Sequence, residues 1–156
     1  MATLSSFEDL KCWRSCRRFR IFVSGLVKRF PKEENFLLVA QLKDSSRSTT
    51  HNIAEGFGRD NALDNSRFCK IARGSLCEAM DQLLTSNDEC LISNEELIEA
   101  RRLYIDALAW LDGYIKYLTE ARHSNQLREP MEHYQVEREA FQPSTATTAN
   151  PQPIQR

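Results

Sequence analysis

The chain has 156 residues, 41% hydrophobic and 28% charged, and its 21 basic against 22 acidic side chains leave a net charge of −1. Those values suit one compact domain with its own core, leave no room for two full enzyme domains, and exclude the strong overall basicity usual in small nucleic-acid binders. The purely apolar runs reach five residues at most, as in FLLVA at 36–40, far short of the roughly 20 residues that a membrane span requires. The opening MATLSSFEDLKCW lacks a basic region followed by an apolar core, so a cytoplasmic protein without membrane contact is expected.

Glycine is scarce, at 5 residues, and no proline stands between Pro31 and Pro130. Alternating β-branched patterns are missing, so the chain reads as all-α. The first helix is expected over about 7–30. There Cys12, Trp13, Cys16, Phe19, Phe22, Val23, Leu26, Val27 and Phe30 fall within one half of the helical wheel, and Pro31 stops it. The second, about 33–57, carries Leu38, Leu42, Ser45, Ser46, Thr49, Ile53 and Phe57 at helical spacing, with a small, hydroxylic middle. The third, about 62–86, opens at Asn61, whose side chain can cap while Asp64 returns the bond. It continues through Phe68, Ile71, Leu76, Met80 and Leu83 to the SNDE stretch at 86–89. The fourth, about 94–122, begins with a capping box of Ser93 and Glu96 and carries Leu97, Tyr104, Leu108, Leu111, Ile115 and Leu118. Short connections predict an antiparallel up-down-up-down four-helix bundle over 1–123. The polar stretch 124–156 reads as a tail with at most a short helix near 132–141, largely disordered after 142.

The stretch NIAEGFGR at 52–59 invites three readings: a phosphate loop, a carboxylate site, or a helix end. A phosphate loop needs backbone N–H groups converging at a helix start, normally after a strand, and no strand precedes this one. Gly56 or Gly58 is instead expected to take the left-handed conformation that closes the second helix, with Arg59 and Asp60 leading to the Asn61 cap. Asn52 and Glu55 flank Ile53 and are expected to face inward. A buried carboxylate there requires partners, and Arg73, Ser75 and Glu78 of IARGSLCE on the third helix supply candidates. These five residues read as a structural polar layer that fixes helix register. An enzyme using Glu55 and Glu78 is the weaker alternative. A di-iron bundle, which needs Glu-x-x-His twice, is excluded because only Glu120 and His123 have that spacing.

Cys12, Cys16, Cys69, Cys77 and Cys90 contain no CxxC pair, and the first four fall among apolar positions. Reduced thiols acting as small hydrophobes are expected, with no metal and no cofactor. The one charged feature of note is on the first helix. Lys11, Arg14, Arg17, Arg18, Lys28 and Arg29 project into roughly a 120° arc opposite the apolar face. Such a stripe can hold an RNA or DNA backbone, and repetition around an oligomer would make it a ring of positive potential. The competing reading lays it beside Glu95, Glu99, Asp106 and Asp112 of the fourth helix. Trp110 and Tyr114 read as a partly exposed patch suited to a subunit interface.

The strings FEDLKCW, RFPKEENFLLVAQLKDSSRS, NIAEGFGR and RFCKIARGSLCE resemble, in order and spacing, the bacterial four-helix-bundle family encoded in intervening sequences of 23S ribosomal RNA genes. This family is also called the S23 ribosomal protein family and is similar to the accessory protein of diversity-generating retroelements. The resemblance covers about 7–120 and implies a ring-shaped homo-oligomer, a homopentamer, without catalytic residues. For the retroelement relatives it implies binding to nucleic acid and to a reverse transcriptase. Where such proteins usually read SIPSNIAEG, this chain has Ser48, Thr49, Thr50 and His51 before Asn52. Where they often place Glu-Phe early in the third helix, it has Asp64 and Asn65. The missing proline predicts a straighter second helix. A non-enzymatic accessory protein is therefore expected, with a protein-binding scaffold indifferent to nucleic acid as its alternative.

Overall fold

A computed structural model describes residues 5–59 and 61–124. The expectations for Asp60 and for the tail at 125–156 lie outside the described residues. The described chain is all-α, with four helices and no strand: α1 (Lys11–Leu26), α2 (Leu38–Phe57), α3 (Ala62–Asp88) and α4 (Asn94–Ser124). α1 packs on α2 and α4, and α3 packs on the same two, so the four surround one interior. Phe19 and Val23 of α1, Leu42 and Ile53 of α2, Leu76 and Leu83 of α3, and Leu111 of α4 are completely buried there. Each large side chain removed from water in this way contributes about 1.5–3 kcal/mol before the entropy of ordering it.

Local chemistry sets the helix ends. The first helix is shorter than its apolar period because Ser6 and Asp9 form a capping box of their own around a 3₁₀ turn, Phe7–Asp9. Leu10 then runs extended and drops into the core, 4% exposed, before α1 begins. At the other end the helix tightens into a 3₁₀ turn, Val27–Arg29, and stops at Phe30, whose extended backbone suits the residue before Pro31. The second helix starts later than expected. Lys32–Phe36 is a 3₁₀ turn and Leu37 breaks the path, so Leu38 and Val39 enter the core while Phe36 and Leu37 stay outside. The caps of the last two helices form as their sequences predict. Asn61 Oδ1 accepts from Asp64 N–H at 2.8 Å, and Ser93 and Glu96 exchange bonds of 3.2 and 3.0 Å.

The glycines act differently from expectation. Neither Gly56 nor Gly58 has a positive φ: Gly56 lies inside α2, and Gly58 follows it at φ −75°. What Gly56 supplies is absence of bulk. A Cβ there would lie 2.9 Å from Asn65 Oδ1 and 2.9 Å from Phe68 Cβ, closer than packed atoms allow, so α2 and α3 approach each other because this position has no side chain. The left-handed closure occurs instead at Cys90, φ 59°, where α3 ends. Leu91 N–H reaches Ser86 O at 2.8 Å and Cys90 N–H reaches Asn87 O at 3.0 Å, the paired bonds of a Schellman motif with cysteine where glycine is usual.

Three glycine-related variants separate these roles in urea melts followed by circular dichroism. Gly56→Ala is expected to destabilise by about 1–3 kcal/mol through overpacking, although alanine is the better helix former. Gly74→Ala, mid-helix with nothing within 4 Å of the added Cβ, is expected to stabilise by up to about 1 kcal/mol. Cys90→Gly is expected to stabilise by a similar amount, roughly 0.5–1 kcal/mol, by relieving the left-handed conformation. A neutral Gly56→Ala would refute the close-approach account.

Candidate nucleic-acid interface

The basic side chains of the first helix divide by what they touch. On the side facing α4, Arg18 donates to Asp106 Oδ2 at 2.6 Å and to Ser15 Oγ at 3.1 Å. Ser15, 1% exposed, donates in turn to the same Asp106 oxygen. Arg29 pairs with Glu96, which also caps α4. Lys11 lies 4.7 Å over the Trp110 ring, a cation–π contact. Arg14 turns back to the preceding turn, donating to Glu8 O at 2.6 Å and pairing with Asp9 at 3.3 Å. Arg17 and Lys28 are exposed and have no ion pair among the described residues.

The acids of α4 are distributed differently from the simple neutralised face. Asp106 serves the first helix as expected, and Glu96 joins it, while Glu99 turns to Arg102 at 2.6–2.7 Å and Asp112 to Arg73 at 2.7 Å. Glu95 stays at the start of α4, its carboxyl held below the usual range by backbone N–H and then by Ser93. Bonding to the Ser93 backbone, and after it to Arg29, likewise lowers the Glu96 carboxyl, with burial opposing both. The pairs are peripheral. Arg14, Arg18 and Arg29 keep 57%, 55% and 60% of their side-chain surface exposed, and exposed pairs of this kind are worth about 0–1 kcal/mol.

Sequence reasoning passed over two further arginines because neither lies in the helix 1 arc. Arg20, half-buried, points toward α2 and donates to Thr50 Oγ1 at 2.7 Å. Arg47, exposed, stands one turn before Thr50 in the hydroxylic stretch SSRSTT. The only available signal was this arginine amid small residues.

The expected polar layer is only partly assembled. Asn52 donates to Ser48 O at 2.8 Å and to Ser48 Oγ at 3.0 Å, and Ser48 Oγ meets Ser75 Oγ across the α2–α3 seam at 2.8 Å. Further along, Ser45 Oγ donates to Gln82 Oε1 at 2.8 Å, and Gln82 donates to Glu78 at 3.2 Å. Glu55 does not face inward. It is exposed and pairs with Arg59 one turn on, because its direction from α2 is about 200° from that of Ile53. Arg73 is likewise on the outside, and Glu78 is exposed near Gln82, so the structure does not bring Glu55 and Glu78 together. Tyr114 departs from expectation as well. It is 3% exposed, its hydroxyl accepts from Asn65 Nδ2 at 2.9 Å, and burial holds its phenol well above the usual range. Trp110 remains partly buried.

The thiols sit in the core: Cys12, Cys16 and Cys69 are buried, and burial pushes Cys16 and Cys69 up to about 12. Thiols held protonated in this way are inert fillers. Among the described residues no three His, Cys, Asp or Glu side chains gather as a metal site requires, and no helix is long and apolar enough to cross a membrane.

Residues 8–113 match a family model described as 23S rRNA-intervening sequence protein. No curated protein matches the chain.

Two predictions concern the α1–α4 contacts. Asp106→Ala removes the acceptor for the buried Ser15 hydroxyl, leaving only the bond Ser15 accepts from Arg18, and is expected to cost about 1–3 kcal/mol in chemical denaturation, whereas Arg18→Ala, losing an exposed partner, is expected to cost about 0–1 kcal/mol; equal costs would deny Asp106 its part in ordering Ser15. Glu96→Gln keeps the capping geometry and removes the charge, for an expected loss of about 0.3–1 kcal/mol at neutral pH. Because folding lowers the Glu96 carboxyl, that contribution is present above its unfolded-state pKa, and the gap between wild type and variant closes as pH falls through the carboxylate range. A gap that persists in acid would contradict the charge-based account.

Proposed function

The chain belongs to the 23S rRNA-intervening sequence protein family, and on that premise we propose that it is a non-enzymatic, oligomeric accessory protein that binds the backbone of RNA or DNA. The observation that carries this reading is the basic first helix. The guanidinium groups of Arg14, Arg18 and Arg29 stay more than half exposed in their ion pairs, and Arg17 and Lys28 have no ion pair among the described residues. A surface with near-zero net charge can still bind phosphate through such a local concentration of cations.

The subunit is an antiparallel up-down-up-down bundle in this proposal. Ser45 meets Gln82, Ser48 meets Ser75, and Gly56 abuts Asn65 and Phe68, so partners descend along α3 as they ascend α2. Self-association into a homopentameric ring is supported by exposed apolar side chains: Phe36 is 91% exposed, Ile98 67% and Leu37 58%. A cytoplasmic setting and a protein partner such as a reverse transcriptase complete the proposal, the latter through the resemblance to retroelement accessory proteins. The separation of Glu55 from Glu78, each engaged with its own helix, favours the non-enzymatic form.

Fluorescence anisotropy of a labelled structured RNA and of a DNA duplex, from about 50 to 200 mM salt, tests the binding. The expected result is saturable binding whose log affinity falls linearly with log salt. Light scattering on the same sample is expected to give a mass near five times 18.1 kDa. An oligomer that binds neither nucleic acid at the lowest salt would be a protein scaffold, and a monomer would overturn the ring.

A further inference from the structure

We propose that the outer seam between α1 and α2, where Arg17, Arg20 and Arg47 converge beside Thr50, is the principal contact for nucleic-acid phosphates. This rests on the nucleic-acid reading above and moves its centre from the α4 side of the first helix to the α2 side.

The geometry begins with Thr50, 1% exposed, whose hydroxyl bonds Arg47 O at 3.1 Å and accepts from Arg20 Nη1 at 2.7 Å. Arg20 is thereby anchored by a neutral oxygen, which orients the guanidinium without cancelling its charge. Arg17 stands three residues earlier on α1, and Arg47 three residues before Thr50 on α2, so both lie on the faces that flank the anchored head. None of the three has an ion pair among the described residues, whereas Arg14, Arg18 and Arg29 each have one. Burial first, then the proximity of Arg17 and Arg47, lowers the Arg20 pKa from its ordinary value.

Three guanidinium groups without a carboxylate repel one another, and an anion with several acceptor oxygens relieves that repulsion. Phosphate matches the planar, forked donors of arginine as a carboxylate does and offers further acceptor oxygens to a second guanidinium. The cations also continue beyond the trio: Arg17 and Arg20 are separated by about 4.5 Å of helix rise, and exposed Lys28 extends the positive edge toward the end of the first helix. Spaced cations of this kind suit a polymer of phosphodiesters, and one member already held in place lowers the ordering cost of binding.

The test is RNA anisotropy across a salt series with Arg17→Gln/Arg47→Gln, which leaves the anchored Arg20 intact, beside Arg14→Gln/Arg18→Gln on the α4 side. The first variant is expected to lose at least about tenfold in affinity at low salt and to reduce the salt slope by about 1–2; the second is expected to stay within about threefold of wild type. Light scattering is expected to leave the mass unchanged. Undiminished binding by Arg17→Gln/Arg47→Gln, or an equal loss in both variants, overturns this site while the nucleic-acid reading stands. Dissociation of the oligomer by the first variant makes the seam a subunit interface and also overturns it. Replacing chloride by inorganic phosphate at matched ionic strength is expected to weaken RNA binding by less than Arg17→Gln/Arg47→Gln does, since a single phosphate lacks the polymer's spaced charges; competition as strong as the loss in that variant would reveal a free-phosphate site instead. Failure of the wild type to bind any nucleic acid removes the general reading and this site together.

Discussion

The close approach of α2 and α3 at Gly56 is the constraint on which the rest of the structure depends. Without a side chain at that position, Asn65 and Phe68 come against the α2 backbone, and Asn65 is then placed to serve three elements. Its Nδ2 donates to Tyr114 on α4, and its Oδ1 both accepts from Cys69 Sγ at 3.4 Å and lies where a larger residue on α2 would stand. A buried amide must find partners or cost free energy, so this junction selects one register among those that apolar packing alone would tolerate. The hydroxyl pairs farther along the seam, Ser48 with Ser75 and Ser45 with Gln82, agree with that register. Small residues let the helices approach, and polar ones make each alternative register leave groups unpaired.

That register decides which charges meet. Once α2 and α3 are fixed, α1 lies between α2 and α4 and presents a different electrostatic face to each. Toward α4 it finds Asp106 and Glu96, and its arginines are paired there. Toward α2 Arg20 finds the Thr50 hydroxyl, and it has no ion pair among the described residues. A nearly neutral chain thus acquires a positive seam without any segment of strongly basic composition, because attraction and repulsion are local and fall off with distance.

Much of this architecture was legible in the sequence. The apolar periods identified four helices, and the Ser93–Glu96 and Asn61–Asp64 pairs marked the starts of two of them, because caps depend on residues a few positions apart. Three of the four cysteines at apolar positions, Cys12, Cys16 and Cys69, are buried for the reason their spacing gave, while Cys77 is only partly buried and Cys90 lies on the exposed turn. The errors were also local in origin. A continuous first helix from 7 overlooked that Ser6 and Asp9 could cap a separate turn. The glycines of NIAEGFGR invited the common helix-closing role, while the left-handed residue was a cysteine that no propensity would select.

The sequence by itself determined the all-α class, the helical content, the caps and the family, since each rests on patterns within one segment or a few adjacent residues. Only the tertiary structure decided that Gly56 is needed for contact, that Glu55 turns outward to Arg59, that Tyr114 is buried on Asn65, and that Arg20 of α1 bonds Thr50 of α2. The reason is physical. A helical period fixes the angle of a side chain about its own axis, but which neighbour fills that direction depends on the rotation and register of a second helix, set by the sum of many contacts between residues distant in the chain.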